Sequence, residues 1–228
     1  SSLYEHLGNA SGQRFHTQSG GLGDVRVSAS YWLFNPEAHH RGNLSIGIGF
    51  KAPTGDFKAT DTFIRPTGPM IRYVDSSIQP GDGGWGWSLE TQGFLHLVGN
   101  WSAYGNAFYL FNPKERITAT NFSVPDAYMA RGGLEYALPA VPGLTLGFGG
   151  RVEGVPGNDV FGGSRGSRRP GFSVALEPGV SFTKGKWTAT LTVPIAVHHR
   201  RSTTYGSLRP GDAAFADFTI NSSLTYRF

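Results

Sequence analysis

A set of ionisable and amide side chains recurs at alternate positions between apolar neighbours: Arg26, Lys51, Glu90, Gln92, His96, Asn106, Arg131, Glu135, Arg151, Glu153, Glu177, His198, Asp217, Asn221 and Arg227. Acids and bases are mixed. Held on one surface, they can do two things. Opposite charges on neighbouring segments can pair and brace the surface, or the set can line a passage that admits a small solute. Both readings stay open from sequence alone.

A second group lies between the alternating segments, among glycines and prolines: Asp75, Gln79, Asp82, Asp159, Arg168, Arg169, Arg209 and Asp212. Long connections of this composition can fold inward and form a constriction. The same carboxylates could in principle bind a hard cation, but no spacing reproduces a calcium loop, so no metal or other cofactor is expected. Arg165, Arg168, Arg169, His199, Arg200 and Arg201 could clamp phosphates of lipopolysaccharide. Equally, they could pair with acids such as Asp159 and Asp212. Catalysis lacks a constellation: His198 near Ser202 is the only arguable base and nucleophile, and no third group orients them. No catalytic residue is assigned, and the chain is not expected to be an enzyme. Cysteine is absent, which excludes thiolate metal sites and a cysteine nucleophile. Nucleic acid is not an expected partner, because the basic groups are few and their neighbours apolar.

The elements that must position these residues show a repeat of two. Within 43–53, Leu44, Ile46, Ile48 and Phe50 alternate with Asn43, Ser45, Gly47, Gly49 and Lys51. Segments 24–35, 85–98, 101–112, 126–138, 143–154, 170–183, 186–198 and 214–228 read the same way, giving nine strands. Each is about ten residues long, the length of a tilted membrane strand. Charged residues are 16% of the 228, against roughly 25% typically, while glycine (33 residues) and aromatics (13%) are abundant. Mean hydropathy is −0.24. No apolar run is long enough for a transmembrane helix. Strands that are half apolar and half polar account for all of this. The expected fold is all-β: a transmembrane antiparallel up-and-down β-barrel in a single domain over 1–228.

Connection lengths give the barrel an orientation. Links 36–42, 99–100, 139–142 and 184–185 are short, whereas 54–84, 113–125, 155–169 and 199–213 are long. Short periplasmic turns and long extracellular loops are the pattern of bacterial outer-membrane barrels. Trp101, Tyr136, Trp187, Tyr226 and Phe228 fall near the short-turn end of the apolar stripes. Trp85, Trp87, Tyr109, Phe111 and Phe172 fall towards the other end, as two interfacial girdles would. Outer-membrane lipids are therefore expected partners. Nine strands and a periplasmic C-terminus put residue 1 outside the cell, with 1–23 as an extracellular loop. Bacterial barrels have even strand counts, so one to three strands are expected upstream and 10–12 in all.

Specific motifs sharpen this. Gly21-Leu22-Gly23-Asp24-Val25-Arg26, followed by Phe50-Lys51-Ala52-Pro53-Thr54-Gly55-Asp56, resembles the signature of outer-membrane proteins associated with the meta-pathway of phenol degradation. Val74 to Gly86, Arg151 to Pro156, Arg168-Arg169-Pro170-Gly171 and Gly211 to Asp217 are similar to the same family. The resemblance runs from about residue 21 to the end. It implies a barrel and an uptake role for small hydrophobic or aromatic compounds, without identifying the solute. Tyr226-Arg227-Phe228 is similar to the C-terminal aromatic signal read by the barrel-assembly machinery. The alternative function is a plugged structural barrel that anchors an envelope assembly.

Overall fold

The computed structural model describes residues 2–7, 14–201 and 215–227. Nine long strands form one antiparallel sheet, each hydrogen-bonded to the next in sequence. They are β1 (Val25–Trp32), β2 (Gly42–Ala52), β3 (Gly86–His96), β4 (Trp101–Phe111), β5 (Ala127–Ala137) and β6 (Leu144–Val155). β7 (Gly171–Lys184), β8 (Trp187–Thr192 and Ile195–Arg201) and β9 (Asn221–Tyr226) complete the series. The sheet curls through 257° into a half-barrel whose edge strands stand 15 Å apart.

The two-residue repeat dictates which side is which. On β2, Asn43, Ser45 and Lys51 are at most 7% exposed, whereas Leu44, Ile46, Ile48 and Phe50 are 43–59% exposed. Polar side chains thus occupy the concave face and apolar ones the convex face. A water-soluble barrel has the opposite arrangement. Among the described residues the buried apolar side chains are Val74, Ile78, Ile117 and Val124, all in connections, with only Ala175 in the wall. What hydrophobic core there is sits among the loops.

Short turns gather at one end. Gly99 (φ 58°) and Gly185 (φ 61°) reverse the chain there in the left-handed region that glycine enters without strain. At the other end the long connections carry structure of their own. Residues 53–85 contain a hairpin of Thr60–Arg65 with Gly68–Tyr73 and a turn of 3-10 helix at Ser76–Ile78 capped by Asp75. Arg116–Ile117 pairs with Phe122–Ser123 in the next loop. Segment 1–23, expected as a loop, includes a hairpin of Ser2–Leu7 with Arg14–Ser19. The Gln18 N–H donates to Asp61 at 2.7 Å, tying this hairpin to the neighbouring one.

Three strand expectations change. β8 is interrupted at Val193-Pro194, because proline has no N–H for the ladder. Beyond the break the register shifts: Ala175 faces Ala196, but Val174 faces His198. The extra residue is a β-bulge, and it reverses every later side chain. His198 therefore lies on the convex side against Phe172 (ring centroids 5.9 Å), and His199 takes the concave place. Strict alternation had assigned His198 inward. Finally, β9 spans six residues, not the fifteen that alternation suggested, and Asp217 precedes it, its carbonyl accepting from Ala196 N.

Glycine opens the middle of the wall. Gly105, Gly132 and Gly150 lie side by side on the convex face of β4, β5 and β6. Gly133 and Gly149 pair on the concave face, and a Cβ on Gly133 would stand 2.4 Å from the Phe148 carbonyl oxygen and 2.5 Å from Gly149 Cα. Both obstacles are backbone and cannot swing away. Gly133→Ala is expected to lower stability by about 1–3 kcal/mol, measured by urea unfolding.

Candidate functional site

The concave face carries a ladder of ion pairs. The Arg26 guanidinium donates to Glu90 at 2.7 Å, and Ser88 Oγ donates to the same carboxylate oxygen at 2.8 Å. Farther round the wall, Glu177 is 1% exposed and sits between two arginines. Its Oε1 accepts from Arg131 at 2.6 Å, while Oε2 lies 3.8 Å from Arg151. Arg131 also donates to Asn106 Oδ1 at 2.7 Å, and Arg151 donates through Nε to Glu153 at 3.1 Å. The cross-strand register makes this network. Arg131 faces Arg151 directly on β5 and β6, two like charges that repel unless an anion intervenes. Glu177, one strand further on and two residues displaced, supplies it.

Other expected wall residues are less engaged. Register puts Gln92 between Ser45 and Asn106, His96 opposite Ser102, and Glu135 opposite Ser102 and Gly147. Among the described residues these three side chains form no ion pair. Asn221 faces Thr192 on the exposed edge strand, and Arg227 continues that edge through its N–H to the Lys186 carbonyl. Asp217 lies off the ladder. Arg209, Asp212 and Phe228 lie outside the described residues.

At the long-loop end, a clasp closes the connection between β2 and β3. Asp24 Oδ1 accepts from Gly55 N at 2.9 Å and Oδ2 from Asp82 N at 3.2 Å. Thr54 Oγ1 accepts from Val25 N at 2.8 Å. Gly55 and Gly81 pack backbone to backbone, since a Cβ on Gly81 would fall 2.6 Å from the Gly55 carbonyl oxygen. Lys51, 6% exposed, is hydrogen-bonded to Asp82 and 3.8 Å from Asp24. Thus the GLGD and K-x-PTGD segments and Gly81-Asp82 converge in one knot. Burial raises the Asp82 carboxyl despite Lys51 and the Gly84 N–H, and Asp24 adds to the rise.

Two further anchors hold the remaining loops. Arg169 grips Asp75 with both terminal nitrogens, at 2.7 and 2.6 Å. Burial alone would raise Asp75, but Arg169 and the Ser77 N–H and hydroxyl together hold it below the ordinary carboxylate value. Arg168, 2% exposed, is hydrogen-bonded to Asp159 and donates to Ser123 Oγ and the Gly157 carbonyl. Sequence reasoning missed Asp126, which is fully buried and accepts from Asn112 N, Val160 N and Tyr109 Oη at 2.7–3.1 Å. Its sole signal was a carboxylate after a proline at a strand start. Gln79 lines the space between the loops, and its amide is hydrogen-bonded to the backbone of Ala59 and Val74. Arg165, an exposed side chain, holds Glu115 low through its hydrogen bonds.

Within these anchors lies a cavity of about 350 Å³. Its walls come from the connections after β2, β4, β6 and β8 and from strand ends, with Phe57, Leu110, Ile117, Phe122, Val155 and Phe215 supplying apolar surface and Asp82, Asn112, Arg168 and Arg169 polar surface. The arrangement defines an inside-out β half-barrel with a charged concave wall and a packed, ion-paired mouth. The family described as "Putative MetA-pathway of phenol degradation" matches residues 2–209, and the chain belongs to it. No curated protein matches the chain.

Two outcomes follow. Glu177→Gln leaves Arg131 and Arg151 facing each other without an anion, and should cost about 3 kcal/mol in urea unfolding. Because the folded Asp75 value is depressed, its stabilisation is present above the free carboxylate value of 3.8 and lost as pH falls through the lower folded value. Near-ultraviolet circular dichroism melts on acidification should lose stability over that acid window, and Asp75→Asn should remove that part of the loss.

Proposed function

We propose that this protein is an outer-membrane β-barrel that passes small, hydrophobic or aromatic compounds, and that it is not an enzyme. The observation that carries the reading is the inside-out wall. Ile48 is 59% exposed on the convex face while Lys51 and Glu177 are buried on the concave one. Exposing a sheet's apolar face is favourable in lipid and unfavourable in water. Aromatic pairs support it at both ends: Trp101 with Tyr136 (4.9 Å) and Trp187 with Tyr226 (4.8 Å) near the short turns, Trp87 with Phe111 (4.1 Å) near the loops. Such bands suit the two membrane interfaces.

Closure follows from the curl. Nine strands turn 257° in eight steps, about 32° each, so a full circle takes about eleven to twelve strands. At about 4.8 Å between neighbouring strands the 15 Å gap spans about three spacings, room for two strands, so the even counts of ten and twelve bracket the closed wall. Open sheet edges do not persist in lipid, because each unpaired backbone group there costs several kcal/mol. A bore of that size, lined on one side by the Arg131–Glu177–Arg151 pairs, is narrow. The solute is therefore small.

A second reading, a plugged barrel serving as an envelope anchor, is favoured by the buried loop residues Val74, Ile78, Ile117 and Val124, which pack the mouth. Planar-bilayer recording separates the two. Discrete conductance steps that change in size with Arg151→Ala or Glu90→Ala are expected; silence of the folded protein, together with no solute uptake by vesicles, would favour the anchor.

A further inference from the structure

We propose that the connection between β6 and β7 carries a lipid anchor, in which the side chains of Val160 and Phe161 enter the headgroup region of the surrounding bilayer and tie that loop to the membrane. The proposal rests on the outer-membrane reading for the presence of lipid, and the experiment below lets either one fail alone or both together.

The path of the loop comes first. Residues 156–170 are rich in glycine, serine and arginine, and Val160-Phe161 is their one apolar pair. A connection of this composition ordinarily stands up into solvent. This one bends back over the rim. The Phe161 ring lies 6.0 Å from that of Trp87 and 5.5 Å from that of Phe111, and those two stack on each other at 4.1 Å. Register puts Trp87 and Phe111 in the same outward row as Phe50, so Phe161 reaches the convex side. The row of rings continues from Phe111 to Tyr109 at 4.6 Å and from Tyr109 to Tyr128 at 6.4 Å. Phe161 thus extends the loop-end aromatic band with a ring that no strand supplies.

Two devices fix it there. Asp126 Oδ2 accepts from the Val160 N–H at 2.9 Å and from the Tyr109 hydroxyl at 3.1 Å, so one buried carboxylate oxygen joins the loop to the band. On the other side Gly162 (φ 81°) turns the chain tightly against the Pro113 backbone, where a Cβ would run into the carbonyl oxygen. With its backbone held from both sides, the pair still keeps 58% of Val160 and 49% of Phe161 exposed. Pinning apolar side chains outward gains nothing in water. In the headgroup region, beside a band of Trp and Tyr rings, it is favourable. Two side chains are also far too little surface for a stable protein interface, whereas lipid sets no minimum area.

The chain has no cysteine, so a fluorophore can be attached at one chosen position. Phe161→Cys, Ile48→Cys on the convex wall and Arg165→Cys in the same loop are labelled with one environment-sensitive dye. Each full-length variant is refolded with phosphatidylcholine vesicles, and its near-ultraviolet circular dichroism spectrum checks the fold. Quenching by a nitroxide-bearing phosphatidylcholine is then compared with quenching by aqueous iodide. The lipid-to-iodide ratio at 161 is expected to be about tenfold that at 165 and close to that at 48. Should Phe161→Cys misfold, Val160→Cys takes its place with the same expected ratio. If iodide quenches the label at 161 as readily as at 165 while position 48 stays in lipid, the anchor is overturned and the barrel reading stands. Quenching at 161 by neither agent would mean that protein covers the pair, and would overturn the anchor as well. Iodide reaching position 48 too would overturn the outer-membrane reading and the anchor with it.

Discussion

Each residue added to a strand reverses the direction of its side chain, and a curled sheet turns that reversal into a difference between an inner and an outer face. Along β2, Ser45 and Lys51 go to the concave face while Ile46 and Phe50 go to the convex one. The backbone spends its hydrogen bonds within the ladder, so the side chains alone decide what each face meets. The rest of the structure depends on this division. It gathers charge on the concave wall, where ions must pair with one another, and it leaves apolar packing to the loops.

Within the wall, charges one or two strands apart compensate each other. Arg131 and Arg151 are direct neighbours and would repel, yet both lean on Glu177. At the mouth the same logic uses longer reach. Asp75 and Arg169 are 94 residues apart in sequence, Arg168 and Ser123 45 apart, and Asp24 and Asp82 58 apart. Each contact joins a different pair of loops or a loop to a strand end. Together they make the mouth a packed cap, with Asp126 as the link between the end of β4 and the loop after β6.

How much of this could be read from the chain depended on periodicity. The nine strands, their order and the loop asymmetry follow from a repeat of two that Leu44 to Phe50 display almost without interruption. Wall residues such as Arg26, Glu90, Arg131 and Glu177 follow for the same reason. The repeat failed where geometry departs from it. One bulged residue near Val197 exchanged the roles of His198 and His199, and no sequence signal marks a bulge without glycine. Asp126 and Glu115 were invisible because loop residues have no period, and their partners lie across the mouth. Asp24 stood within a recognised motif, yet its role as a clasp emerged only when Gly55 and Gly81 were seen to touch.

The row of Gly105, Gly132 and Gly150 on the convex face has a mechanical consequence. Side chains stiffen a sheet by wedging against their neighbours across the pleat, and here three adjacent strands have none on that side. The wall is thinnest along this line, where the peptide planes themselves form the convex surface. Under a sideways load the cross-section should flatten by folding along this seam, much as a sheet of card creases where it has been scored.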